Sequence, residues 1–318
     1  MLGSTTATSA AFATIKDGSG TWFATRNAAG QVAAFVSTAK NDLSTWVAGD
    51  HVTDQTTGFT GTLNSLSINS LRFNAAGGSH VQIAAGQTLN IVSGGILVTD
   101  QVAAGTPGIF GGILNSSVAE LIIAQDSAVP FEISSTILGT NAITKTGVGT
   151  LILSGQNFST GTVQLQAGVL QLKGGNALGD TTVVTLADDQ SSTLQLLDDE
   201  TIGRLAGGSV TTGLDTLAVV DINGQTLTMN QNAASTYAGL FRGAGTIVKN
   251  GALFDLTLTN NSSAFTGTLR INEGGILLSG IGAIAATNIE INKGGYLRLV
   301  TVARRASVIA FSIRPPLL

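Results

Sequence analysis

The chain has 318 residues, of which 11% are charged, with a formal net charge of −4 and no cysteine. With 43% hydrophobic residues and so little net charge it is not a disordered chain, and the absence of cysteine excludes disulfide staples and thiolate chemistry. The 15 basic residues are spread thinly, which excludes the concentrated positive face of a nucleic-acid binder.

Residues 1–50 read as a lead-in or cap. The segment MLGSTTATSAAF has neither the basic start nor the unbroken apolar run of a secretory signal. Trp22, Phe23 and Trp46 concentrate here. Large aromatics beside the end of a repetitive core are expected to seal it; a glycan-stacking platform is the competing reading.

From 51 to 300 the chain repeats itself. Gly-Gly-apolar-Leu occurs at Gly94 to Leu97, Gly111 to Leu114, Gly274 to Leu277 and Gly294 to Leu297. Thr160 to Gly179, TGTVQLQAGVLQLKGGNALG, aligns without gaps on Thr266 to Ala285, TGTLRINEGGILLSGIGAIA. Within each unit apolar residues alternate with polar ones, as in Val163 and Leu165, then Leu170 and Leu172, which is the period of a strand with one buried face. Gly168 and Gly274 stand between the two strands, where glycine turns a chain without a Cβ clash. Short strands recurring about every 20 residues bury their apolar faces by stacking, so the expected fold is all-β: a right-handed, single-stranded parallel β-helix.

The stretch from Ile143 to Gly179 resembles the autotransporter-associated β-strand repeat through Lys145, Thr146, Gly147, Gly149, Thr150, Leu151, Leu153, Gly155, Asn157, Thr160, Gly161, Gly168, Leu170, Leu172, Ala177, Leu178 and Gly179. The repeat lies at about 143–180, and a weaker copy, at about 243–285, departs by longer spacing and by Phe254 in a strand. The segment from Ser67 to Gly78 looks like the lead-in of such proteins. The resemblance implies an autotransporter passenger on or released from a bacterial surface, often adhesive, with its C-terminal membrane β-barrel elsewhere in the full-length protein. Its implied partners are host or surface glycans or proteins, or further copies of itself.

Chemistry-bearing residues are sparse. The two histidines, His51 and His80, lie among Ser, Thr and Gly and read as surface residues. No G-x-S-x-G elbow, H-E-x-x-H helix or G-x-x-x-x-G-K loop occurs. Pairs such as Gly147/Gly149 lack the third glycine of a dinucleotide fingerprint, where Ile152 stands. Asp188, Asp189, Asp198, Asp199 and Glu200 form the one acidic concentration; its density suits Ca²⁺ but no loop motif accompanies it, so it reads as a solvated loop leaving the coil. Asp221-Ile222-Asn223-Gly224 opens like a calcium loop without the later Glu and reads as strand, turn, strand. No catalytic residue, metal or cofactor is therefore expected. The rival is a polysaccharide lyase or hydrolase, which would gather Asp188, Asp198 and Arg204 around a cleft. A third reading is an orphaned piece of a passenger with no function of its own.

Residues 301–318 break the pattern with Arg304, Arg305 and the Pro315-Pro316 pair, and read as a cap, a tail or a frame-shifted end. The apolar run from Ala306 to Ile313 is too short to span a bilayer, so no membrane insertion by this chain is expected.

Overall fold

Alternation sets the local structure. In the strand Thr150–Leu153, Leu151 and Leu153 are buried while Thr150 and Ile152 are half-buried, because successive side chains of a strand point to opposite faces. Burial on one face is then completed by the coils above and below. Phe131, Leu151, Leu170, Leu194, Val220 and Phe241 pair in parallel register, one per coil, and all are buried. The computed structural model describes residues 13–300 except 19, 119, 140, 159, 188–190 and 209–217. Within them the chain is an all-β parallel solenoid of about 11 turns with almost no helix.

One long sheet runs the length of the stack, from Thr38–Ala39 to Gly295–Val300. A second sheet starts at His80–Gln82 and ends at Leu240–Arg242. A third begins only at Glu200–Ile202 and ends at Asn288–Ile291. In the long sheet Leu165 pairs with Leu186, 21 residues on, and Leu258 with Leu278, 20 residues on. Between Gly207 and Tyr237 the step is 30 residues.

The two sequence copies do not occupy the same sides of this stack. Val163–Leu165 lies in the long sheet and Gly168–Leu172 in the second. Their counterparts, Thr268–Ile271 and Gly274–Ser279, lie in the third sheet and the long sheet. The added strand Glu200–Ile202, followed by the long step to Tyr237, separates the two arrangements.

Outside the stack, Thr14–Asp17, Gly20–Arg26 and Val32–Phe35 form an antiparallel sheet. Adjacent residues on its central strand face opposite ways, so Trp22 and Phe23 part company. Phe23 packs on the outer side of the long sheet against Leu97 and Ala124, and Lys16 pairs with Asp100 at 2.5 Å. Trp46 alone of the three N-terminal aromatics enters the solenoid core, where it meets Phe59 edge-on at 5.2 Å. Phe59 then meets Phe73 at 5.3 Å and Phe73 meets Phe131 at 4.8 Å, so an edge-to-face aromatic column closes this end. The tail with Arg304, Arg305, Pro315 and Pro316 lies outside the described residues.

Glycine is required at the corner between the two strands of the repeat. Gly168 has φ +72°, and a Cβ there would stand 2.5 Å from the carbonyl oxygen of Gly147 in the coil before it. Gly77 instead has nothing within 4 Å of its would-be Cβ and no positive φ. We expect Gly168→Ala to lower stability by about 2 kcal/mol or more, through left-handed strain plus the backbone clash, and Gly77→Ala to be neutral or slightly stabilising. Chemical-denaturation midpoints of the two variants check this.

Candidate functional site

The residue that most distinguishes the repeat is a buried lysine. Lys145 is fully buried in the long sheet, in register between Ile123 and Leu165. Its ammonium donates to the carbonyls of Thr146 at 2.9 Å, Gly147 at 2.8 Å and Ala167 at 2.9 Å, the last belonging to the next coil. These acceptors use all three N–H donors of the group. Lys249 repeats the arrangement in the third sheet, donating to Asn250 at 2.8 Å, Gly251 at 3.0 Å and Glu273 at 2.9 Å. Burial pulls Lys145 down to about 8, with the charge of Asp126 opposing the shift. Lys249 is lowered for the same reason. Both lysines fasten a corner of the coil, and neither is presented to a ligand.

The acidic cluster is also structural in its described part, and it corrects the expectation of a solvated loop at Glu200. Asp198 and Asp199 are exposed, whereas Glu200 is 3% exposed. Its carboxylate accepts the backbone N–H groups of Ala177 and Leu178, each at 3.1 Å. This segment of the preceding coil has no strand in the third sheet, so the side chain supplies acceptors that a neighbouring strand would otherwise provide. Burial pushes Glu200 up to about 7; the two N–H bonds oppose the shift, and the charge of Asp180 adds to it. Asp198 accepts from Gly174 N–H at 2.8 Å and Asp199 from Thr226 N–H at 2.7 Å. Asp188 and Asp189 lie outside the described residues. Among the described residues no three His, Cys, Asp or Glu side chains gather where they could hold a metal ion.

The other singled-out residues are separate from one another. His51 is half-buried, its Nδ1 2.8 Å from Ser70 Oγ and its ring 4.3 Å from that of Phe35. Its pKa is lowered by burial. His80 lies against Phe110. Asp221 takes Arg242 as an ion partner at 3.0 Å, and Asn223 turns the chain at φ 52° with its amide on the Leu196 carbonyl. Arg204 is half-buried at the start of a long-sheet strand.

What the coils do present is a set of in-register polar rows. Asn250, Asn272 and Asn292 each donate a side-chain N–H to the amide oxygen of the asparagine one coil earlier, at 2.9, 2.8 and 2.6 Å, starting from Asn230. Asn90, Asn115 and Asn141 form a shorter row, with bonds of 3.2 and 2.7 Å, which runs inward from half-buried Asn90 and Asn115 to buried Asn141. On the second sheet Gln171 donates to Gln195 at 2.7 Å, and Gln195 and Arg242 both donate to Asp221. The Asn–Asn and Gln–Gln steps of these rows are ladders of identical amides, which lock neighbouring strands in register and offer uncharged hydrogen-bonding groups beside the Asp221–Arg242 ion pair.

Two outcomes follow. Lys145→Met should lower stability by about 2–3 kcal/mol, because it orphans three buried carbonyls rather than replacing both partners of a bond; urea midpoints check it. For Glu200 the folded carboxyl holds its proton more tightly than the unfolded one, whose value is 4.5, so its contribution to stability grows as pH falls from about 7 toward 4.5 and is lost as pH rises through that window. Wild type should therefore gain stability relative to Glu200→Gln as pH falls across this range, which denaturation midpoints at several pH values check.

Comparison with known proteins agrees with this architecture. Residues 143–172 and 255–278 match the passenger-associated-transport-repeat family. Over 192 residues, 56% of this chain, the sequence is 32% identical to the adhesin BmaC autotransporter of Brucella suis biovar 1 (strain 1330). The matched region spans 5% of that relative. No solved structure matches the chain. The repeats, the relative and the stacked coils converge on one description: this chain is a parallel β-solenoid that carries two matches to the passenger-associated-transport-repeat.

Proposed function

We propose that the chain is a non-enzymatic passenger segment that acts in adhesion, or as the stalk of an adhesin, at a bacterial outer surface. The observation that carries this reading is the run of in-register amide rows along successive coils, on a chain similar to an autotransporter adhesin. Solenoids commonly bind through their extended face rather than through one deep pocket. A surface of this kind engages glycans or proteins by many weak contacts, each new contact formed at the high effective concentration set by the last. In this reading the membrane barrel that presents the segment belongs to another part of the full-length protein. Among the described residues no helix is long and apolar enough to cross a membrane.

The reading is tested by retention of beads coated with this chain on glycan-coated and matrix-protein-coated surfaces. Variants lacking one or two whole coils should lose retention more than in proportion to the length removed. Retention that is absent, or indifferent to the number of coils, overturns it. So does turnover of a polysaccharide panel that alanine at Asp188, Asp198 or Arg204 abolishes.

A further inference from the structure

We propose that the cleft between the N-terminal antiparallel sheet and the solenoid is a binding site for a carboxylate-bearing sugar residue. The cleft has a volume of about 640 Å³, within the range of small-molecule sites. Arg72 lies at its base and is 2% exposed. Its Nε donates to the Thr21 carbonyl at 2.9 Å, Nη1 to Thr53 Oγ1 at 3.1 Å and Nη2 to Asn74 Oδ1 at 2.7 Å. A guanidinium carries five N–H donors, so two have no partner among the described residues.

Nor is the charge of Arg72 met by direct pairing. Asp54 is close enough to influence it, but the Asp54 carboxylate is engaged by the N–H groups of Asn74 and Ala75 and by Ser79 Oγ. No carboxylate among the described residues lies within ion-pair distance of Arg72. A buried cation with spare donors in a cleft wall is a site for an anion with oxygen acceptors.

A second group points the same way. Ser37 lines the same cleft, is 6% exposed, and its hydroxyl has no hydrogen-bond partner among the described residues. Buried hydroxyls in proteins are ordinarily satisfied, and here a ligand hydroxyl supplies the missing bond. The remaining walls suit a pyranose. Trp22 contributes an indole 3.8 Å from the guanidinium carbon of Arg72, while Gln55, Thr56 and Gln101 add neutral groups that can both donate and accept. Ring C–H groups against an aromatic, hydroxyls against amides and a carboxylate against the guanidinium match those walls group for group.

Calorimetric titration of the full chain with glucuronate, glucose and acetate tests the assignment. Glucuronate should bind saturably, with glucose and acetate each at least about tenfold weaker, since a hydrogen bond to a charged group and the contacts of the ring are each worth that much. Ser37→Ala should weaken glucuronate about threefold to tenfold, and Arg72→Gln should abolish it. Arg72 also holds the N-terminal sheet, so Ser37→Ala keeps the test independent of that sheet's docking. Failure of glucuronate to bind, equal binding of glucose, equal binding of acetate, or an unaltered Ser37→Ala variant would each overturn the proposal. Bead retention that depends on the number of coils is measured in the Ser37→Ala background, where this cleft is weakened, so the two readings fail separately.

Discussion

Every coil must return the chain to a point one strand spacing beyond its start, with its backbone polar groups satisfied wherever the strands are interrupted. Along the strands this is met by parallel pairing. At the corners it is not, because the chain changes direction and the ladder stops. The buried polar side chains are concentrated on that problem. Lys145 and Lys249 each gather three carbonyls. Asn157 joins three coils, accepting from Ile137 N–H and donating to the Ala177 carbonyl, both at 2.7 Å. Gln125 donates to the carbonyls of Val129 and Thr150 and accepts from Ser127 N–H. A buried ion is costly when bare, but each of these groups replaces hydrogen bonds that the corner backbone would otherwise lack.

Much of this was legible in the sequence. The alternation around Val163, Leu165, Leu170 and Leu172, with a period near 20, encodes strands, stacking and one apolar face, and the structure has all three. The roles of the charged residues were not. Lys145 belongs to the recurring pattern, but a lysine reads as solvent-facing by default, and nothing local reveals that three carbonyls converge on it. Glu200 sits in a charge run that looks solvated, and its burial follows from a coil that lacks a strand at Ala177 and Leu178. That deficit is visible only once the coils are stacked. Trp22, Phe23 and Trp46 looked like one aromatic group because they are near in sequence; a strand sends the first two to opposite sides, and the solenoid core takes only the third.

The same accounting shapes the exterior. With little charge to display, the chain turns amides and hydroxyls outward and aligns them coil over coil, so the surface that any partner meets is largely neutral. In the N-terminal region a cation, Arg72, is instead buried under a small separate sheet, on an outward row that continues into Leu97 and Ala124, the residues on which Phe23 rests.

The shift of the repeat from one pair of sheets to another has a consequence for how the rod meets a surface. Viewed down its axis, the same sequence signature points along two different compass bearings in the two halves. A flat, rigid substratum that faced one copy would be turned away from the other. The two copies of the motif therefore face different sides of the stack and do not extend one stripe.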